Sequence, residues 1–286
     1  MVSTPDPDGL NDAVAALRTW QGDDSPAQLH SGDIGWFWRF GAKMTAAAVR
    51  TWSRSGHVVA VGLLDGADLL RMTVAPDAFG DEELTREIVD DIDDPSGGVL
   101  PAGPVSVECP RATAVHDLLR ERTWTPGERW TPLRRDLAAP VADAGIRIEV
   151  VGPDQVHDRV AVQRAAFASS TFTEQRWHAM AGSGPYAAAR CLVAYDEHDD
   201  AVAALTVWSA GRGRRGLLEP VGVHPDHRGH GYGRAISIAG AAALRDLGSS
   251  SAFVCTRSAN IAAVATYASA GFQPLPEIGD LCRAPA

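Results

Sequence analysis

The sequence predicts an α+β fold made of two related domains. The 286 residues suffice for two domains of ordinary size, each with its own core. Residues 217–272 read as strand, loop, helix, strand and helix, and residues 72–124 repeat that order in weaker form. A Pro- and Ala-rich linker at residues 137–145 separates the two series. We therefore predict one domain over residues 1–140 and a second over residues 141–286.

Composition narrows the class of protein. With 45% hydrophobic and 22% charged residues the chain reads as globular, and its net charge of −10 argues against a nucleic-acid binder. An acidic surface would tolerate cationic substrates such as amines. Cys109, Cys191, Cys255 and Cys282 form no C-x-x-C pair, which argues against a zinc site or disulfide framework and favours a reducing compartment. The N-terminus resembles no signal peptide and no apolar run reaches the ~18–20 residues of a membrane helix, so we expect a cytoplasmic protein without membrane contact.

The first half contains the elements of an α+β domain. A helix is predicted at residues 11–20, and an aromatic-rich segment at 31–41 is expected to pack as core or to line a pocket wall. Residues 49–74 read as a strand meander with a turn at Asp65-Gly66. An acidic helix at 81–91, a strand at 105–109 and a helix at 112–122 follow.

The second half is predicted in the same way. A strand at residues 146–151 precedes a helix at 154–167, and strands follow at 190–197 and 201–209. The basic segment G-R-G-R-R-G at 211–216 could contact phosphate or RNA, but a solvated hairpin tip is the more ordinary interpretation. It leads into the apolar strand L-L-E-P-V-G-V at 217–223.

A glycine-rich loop follows this central strand. Gly229, Gly231 and Gly233 permit backbone dihedrals closed to other residues, and a helix is predicted from about Arg234 to Leu247. The free N–H groups and the dipole at the start of that helix favour a phosphate ligand. The loop lacks the G-K-[ST] ending of a P-loop and the third glycine of a G-x-G-x-x-G nucleotide motif, so both of those sites are excluded.

A second motif lies downstream. Asn260, Ala263 and Tyr267 have the i, i+3, i+7 spacing of one helical face, and Gly271 and Phe272 end that helix and begin a strand. Together with R-G-H-G-Y-G at residues 228–233, this order resembles the C-terminal half of the Gcn5-related N-acetyltransferase (GNAT) family. The resemblance covers about residues 143–286, and the glycine loop is similar to the family's Q/R-x-x-G-x-G/A coenzyme A pyrophosphate loop.

The resemblance implies a fold, a cosubstrate and a set of residues. It implies tandem GNAT-like domains, each a mixed, mostly antiparallel sheet flanked by helices, with acetyl-CoA as cosubstrate and no metal. His224, His227 and His230 lack metal-ligand spacing and are expected to be exposed or close to phosphate. Asn260 either binds the cofactor or caps its helix. The implied cofactor-binding residues are Val221, Gly222, Val223, Arg228, Gly229, His230, Gly231, Tyr232, Gly233, Arg234, Asn260 and Ala263.

Two residues are candidates for catalysis. Pro220 and Gly222 predict a bulge that separates the central strand from its neighbour and opens a slot for the pantetheine arm. Glu219 precedes this bulge in an apolar strand and matches the family's general base; the alternative is a salt-bridge or acceptor-binding carboxylate. Tyr267 matches the family's general acid, and the alternative is an aromatic packed on the cofactor arm.

The first domain is predicted to lack the cofactor. Its loop, A-F-G-D-E-E-L at residues 78–84, has one glycine, no arginine and three acids, which would repel a pyrophosphate. We interpret residues 1–140 as a degenerate GNAT-like copy that shapes the substrate side; the alternative is an unrelated α+β domain.

The resulting functional hypothesis is an enzyme, an acetyl-CoA-dependent N-acetyltransferase. It would act on a primary amine of a small molecule by direct transfer in a ternary complex, as a monomer or homodimer. A protein or peptide acetyltransferase and a non-catalytic coenzyme A-binding module are the alternatives.

Overall fold

A computed structural model describes residues 1–283 of the chain. The helices are α1 (Leu10–Thr19), α2 (Ser31–Phe37), α3 (Ala42–Ala48), α4 (Glu82–Asp93), α5 (Ala114–Glu121), α6 (Val156–Ala166), α7 (Glu174–Ala181), α8 (Tyr232–Asp246) and α9 (Ile261–Ser269). The strands are β1 (Val2–Ser3), β2 (Val49–Arg54), β3 (His57–Leu64), β4 (Leu69–Val74), β5 (Val105–Glu108), β6 (Thr125–Asp136), β7 (Arg147–Val150), β8 (Ala189–Tyr195), β9 (Ala201–Ser209), β10 (Arg215–Val223), β11 (Ser251–Arg257), β12 (Gln273–Pro274) and β13 (Ile278–Arg283). Short 3₁₀ turns begin with proline at Pro76–Ala78 and Pro225–His227. Within residues 1–283 no helix is both long and apolar enough to cross a bilayer.

The chain divides into two compact units whose bounds differ from the predicted division at residue 140. Among the described residues, unit 1 contains Met1–His30, Ala42–Trp130 and residues 277–283, and unit 2 contains Ser31–Gly41 and Thr131–Pro276. Each half of the sequence therefore contributes a segment to the other unit. Strand β6 changes unit at residue 131, and β13 returns to unit 1.

Unit 1 is a mixed sheet with strand order β1-β2-β3-β4-β5-β13-β6, where β6 contributes residues 125–130. Strands β4 and β5 pair in parallel, whereas the β1–β2, β2–β3, β3–β4, β5–β13 and β13–β6 pairs are antiparallel. Helix α4 places Leu84, Ile88 and Ile92 on one buried face, as its i, i+4, i+8 spacing requires. These side chains join Trp52 in the core of the unit.

Unit 2 is a mixed sheet with strand order β6-β11-β10-β9-β8-β7, where β6 contributes residues 131–136. The β10–β11 pair is parallel, and β7 to β10 pair antiparallel. Helix α6 packs near Gly222, whereas α8 packs near Val223, so the two helices lie on opposite faces of the sheet. The core of this unit includes Ile236, Leu205 and Phe272.

The two units repeat one order of elements. An antiparallel strand pair leads through a Pro-initiated 3₁₀ turn into a helix, a strand in parallel with the preceding one, and a second helix. These are β3-β4-α4-β5-α5 in unit 1 and β9-β10-α8-β11-α9 in unit 2. The predicted tandem architecture is thereby confirmed.

Candidate active site

Strand β10 is irregular at its centre. Leu218 pairs with Val207 and Val221 pairs with Leu205, so Glu219 and Pro220 lie opposite the single residue of β9 between them. This two-against-one arrangement is a β-bulge, and the Glu219–Pro220 peptide within it is cis. The bulge expected from Pro220 is confirmed.

Strands β10 and β11 separate after a short parallel ladder. The ladder pairs residues 215–217 with residues 251–253 and ends there, whereas β10 continues to Val223. Residues 221–223 remain paired with β9 on the opposite side. The other edge of this stretch thus presents backbone N–H and C=O groups to the gap, where an extended ligand can pair with them.

The glycine loop ends at an uncapped helix. Gly229 has φ +86° and Gly231 has φ +85°, both left-handed values that favour glycine. Helix α8 begins at Tyr232, two residues earlier than predicted, and its N-cap Gly231 has no side chain to accept from the first amides. Those amides and the positive end of the helix dipole are arranged to bind an anion.

A cleft of about 590 Å³ joins the gap beside β10 to the glycine loop and α9. Its walls are formed by Val221, Val223, His227, Arg228, Gly229, Gly231, Tyr232, Gly233, Arg234, Asn260, Ala262, Ala263, Thr266, Tyr267 and Ser269. Ten of the twelve predicted cofactor residues are among them.

Gly222 and His230 are the two predicted cofactor residues that lie outside the cleft walls. A Cβ on Gly222 would lie 2.8 Å from the Cβ of Ala166, because alternate residues of β10 point to the α6 face of the sheet. The exposed His230 ring stacks beside Tyr232 with ring centres 5.9 Å apart. Gly222 therefore offers the cleft its backbone alone, and His230 borders the loop from outside.

Helices α8 and α9 are in close contact at Gly233. A Cβ there would lie 2.9 Å from Cγ2 of Thr266 and 3.4 Å from Cγ2 of Val223. Thr266 was not predicted as a site residue, although its i+3 spacing from Ala263 places it on the same side of α9. The absence of a side chain at residue 233 lets the first turn of α8 sit directly against α9.

Asn260 caps its helix, which is one of the two roles considered for it. Its Oδ1 accepts a hydrogen bond from the backbone N–H of Ala263 at 3.2 Å, which makes Asn260 the N-cap of α9. The residue also lies in the cleft wall. Its hydrogen bond orients the helix that carries Tyr267.

Tyr267 is buried in the wall of the cleft. Its side chain is 8% exposed, and its ring meets Phe272 edge-on with centres 6.1 Å apart. Burial raises the pKa of the phenol well above its usual value of 10, and the negative charge of Glu219 raises it further. The hydroxyl therefore keeps its proton across neutral and mildly alkaline pH.

Glu219 is held through its backbone. Its carbonyl oxygen accepts a hydrogen bond from Nε1 of Trp208 at 2.7 Å, within the bulge. The half-buried side chain is not part of the cleft wall described above, but its charge acts on the Tyr267 phenol. Glu219 and Tyr267 are thus within electrostatic reach of each other beside the gap.

A helix from the N-terminal half packs on this part of unit 2. A Cβ on Gly32 or Gly35 would lie 2.5 or 2.4 Å from Trp208, so α2 rests on that indole through its two glycines. Gly32 and Gly35 do not favour a helix in the sequence, and the contact with Trp208 explains why the segment is helical. The next residue, Trp36, packs against Phe172 with ring centres 5.2 Å apart.

The aromatic rings of this segment surround a cation. The Arg39 guanidinium lies 4.2 Å from the ring centre of Trp36 and 4.3 Å from that of Phe40. Arg176 of α7 approaches the Phe40 ring at 4.9 Å. The Trp36 and Phe40 rings are therefore paired with the protein's own cations.

In unit 1 a side chain caps the N-terminus of the equivalent helix, α4. Asp81 is the N-cap of α4, and its Oδ1 accepts from the backbone N–H of Leu84 at 2.9 Å. That hydrogen bond, followed by the charge of Arg54, lowers the pKa of Asp81 despite partial desolvation. A carboxylate thus occupies in unit 1 the position that Gly231 leaves open in unit 2.

The diverging parallel strands, the glycine loop and the open helix start define the acyl-CoA N-acyltransferase fold. Residues 158–272 match the sequence model of the Acetyltransferase (GNAT) family. No curated protein sequence matches the chain. Within residues 1–283 no cluster of three or more His, Cys, Asp or Glu side chains is placed to hold a metal ion.

Solved structures share this fold over the whole chain. A GCN5-related N-acetyltransferase from Sphaerobacter thermophilus is 17% identical with a TM-score of 0.59, covering 99% of this chain and 95% of its own. A GNAT-family acetyltransferase from Colwellia psychrerythraea is 16% identical with a TM-score of 0.61, covering 99% of both chains. A tandem GNAT protein from the clavulanic acid biosynthesis pathway is 14% identical with a TM-score of 0.61, covering 99% and 98%.

Proposed function

We propose that unit 2 is an acetyl-CoA-dependent N-acetyltransferase that acts on a primary amine of a small molecule. The observation that carries the proposal is the cleft itself. It connects the unpaired edge of β10 to the open N-terminus of α8, and the buried phenol of Tyr267 lies in its wall. A long ligand with a phosphate group at one end and a reactive group at the other matches this arrangement.

The cleft residues fit coenzyme A in two parts. The amides around Gly231 and the guanidinium of Arg228 would hold the pyrophosphate, and the free edge of residues 221–223 would pair with the pantetheine amides. When bound, acetyl-CoA supplies an acetyl group as a thioester. The carboxylate of Asp81 is the reason to expect no such binding in unit 1.

Glu219 and Tyr267, beside the gap, would accept and donate the protons that direct acetyl transfer requires. The new C–N bond forms as the C–S bond breaks, so no acyl-enzyme is needed. Glu219 accepts the proton that the attacking amine loses, either directly or through water. Tyr267 donates its proton to the departing sulfur, a role that its raised pKa permits because the phenol stays protonated.

The aromatic-rich segment at residues 31–41, which begins with α2, favours a small acceptor. It packs on Trp208, whose indole contacts the bulge carbonyl of Glu219, and it carries aromatic rings already stacked on a guanidinium. Aromatic side chains beside the bulge can enclose a small molecule on one side. A large flat protein substrate would gain less from such a wall.

Calorimetric titration of acetyl-CoA into wild type and Gly231→Glu tests the proposal. The glutamate would place a negative charge at the start of α8, so binding should be lost. Gly213→Glu is the matched control, because Gly213 also has a left-handed φ, of +69°, but lies on a hairpin outside the cleft. Wild type that binds no acetyl-CoA would contradict the proposal. Wild type that binds but releases no coenzyme A with any amine tested would instead be a non-catalytic module.

A further inference from the structure

Two arginines lie side by side at the C-terminal end of α9. Nε of Arg234 donates to the carbonyl oxygen of Ser269 at 3.0 Å, and Nη1 of Arg135 donates to that of Ala270 at 2.6 Å. The two guanidiniums are therefore held on consecutive carbonyls. Both residues belong to unit 2, although Arg135 falls inside the predicted first domain.

These two cations have no anionic partner in the part of the chain that the structure describes. No carboxylate lies within ion-pair distance of either guanidinium, and each uses one of its five donors in the hydrogen bond above. Burial lowers the pKa of Arg135, and the charge of Arg234 lowers it further, so the two groups repel each other. Helix C-terminal carbonyls supply only a partial negative charge in return.

The pair is placed at the edge of the cleft. Arg234 and Ser269 both belong to its wall, and Arg234 lies in the first turn of α8, directly after Gly233. Arg135 is fixed against the backbone of Gly271, where a Cβ would lie 3.4 Å from its Cζ. Two oriented guanidiniums with free donors are suited to a doubly charged phosphate monoester.

We propose that Arg135 and Arg234 form a second anion site, which binds the 3′-phosphate of the coenzyme A ribose. This inference rests on the proposed acetyl-CoA-dependent function and adds a specificity to it. The phosphate monoester neutralises the two charges that otherwise repel, whereas the pyrophosphate occupies the glycine loop. The enzyme should accordingly distinguish acetyl-CoA from acetyl-3′-dephospho-CoA.

Calorimetric titration of both thioesters into wild type and variants tests the site. Wild type should bind acetyl-CoA about tenfold more tightly than the dephospho form, as expected for charge-assisted hydrogen bonds at an exposed edge. Arg135→Gln and Arg234→Gln should each reduce this ratio, and the double variant should bring it close to one. Arg245→Gln is the matched control, because Arg245 also donates from Nε to a carbonyl, that of Leu137, at the far end of α8. Its ratio should equal that of wild type.

The outcomes separate this inference from the function on which it rests. Wild type that binds neither thioester would contradict the proposed function. Wild type that binds both equally would overturn the 3′-phosphate site and leave the function standing. Variants that weaken both thioesters by the same factor would also overturn it, because the arginines would then act on the pyrophosphate or on the helix end alone. Thermal unfolding of each variant verifies that it is folded.

Discussion

The contact between α8 and α9 at Gly233 yields a quantitative prediction. In Gly233→Ala the new methyl carbon would lie 2.9 Å from Cγ2 of Thr266. An unstrained carbon–carbon contact needs about 3.5–4.0 Å, so the two helices would have to separate by roughly 0.6–1.1 Å. Such overpacking costs about 1–3 kcal/mol, offset by about 1 kcal/mol because alanine is the better helix former.

The separation should weaken acetyl-CoA binding more than it weakens the fold. The amides at the start of α8 would move away from the cleft by a large fraction of an ångström, and we expect affinity to fall about ten- to a hundredfold. Calorimetric titration measures the affinity, and urea unfolding measures the free energy of unfolding.

Thr266→Ser supplies the internal control. It removes Cγ2 and keeps the hydroxyl that donates to the carbonyl of Ala262 at 2.8 Å. In that background Gly233→Ala should lose little affinity and should raise the free energy of unfolding by up to about 1 kcal/mol. If Thr266→Ser fails to restore binding, or if Gly233→Ala alone binds normally, the steric argument is refuted.

Three other changes test the structure. Tyr267→Phe keeps the buried ring and should lower kcat about 10²–10³-fold with acetyl-CoA affinity nearly unchanged; a wild-type rate that falls between pH 8 and 10 through ionisation of this phenol would contradict its raised pKa. Gly35→Ala would place a methyl 2.4 Å from the Trp208 ring and should raise KM for the acceptor but leave acetyl-CoA affinity alone, as steady-state kinetics and calorimetry can determine. Burial, and then the charge of Glu108, raises the pKa of Asp280 from 3.8 to about 6. The folded state therefore favours the protonated carboxyl, and the stability that this proton contributes is complete below the pKa of the unfolded chain, 3.8, and is lost as the pH rises to about 6. Asp280→Asn should therefore stabilise unit 1 by about 1 kcal/mol more at pH 8 than at pH 5, after allowance for its partial exposure, and equal urea midpoint shifts at both pH values would disprove this.

The sequence predicted those parts of the site that depend on local geometry. The bulge at Pro220, the open glycine loop and the cap at Asn260 each follow from one residue type at one position, and each could be read without tertiary contacts. The spacing of Ala263 and Tyr267 likewise placed both on the cleft side of α9.

Other features depend on contacts between residues distant in sequence. Nothing local indicates that Gly32 and Gly35 belong to a helix, since their helical conformation is stabilised by the flat side of Trp208. Arg135 lies beside α9 only because β6 changes unit at residue 131. The linker-like composition at 137–145 could not reveal where β6 passes from one unit to the other. That position is determined by the pairing of β6 with β12 and β13, which come much later in the sequence.

Because β13 belongs to unit 1, the sheet of that unit can be completed only after the ribosome has synthesised residues 278–283. Val107 of β5 pairs with Leu281, so that edge of β5 stays open until the ribosome has made all of unit 2. An open strand edge can pair with other chains. Residues 277–283 thus act as a late closing strand, and a nascent or truncated chain that lacks them should need chaperone protection although most of its first unit has already been made.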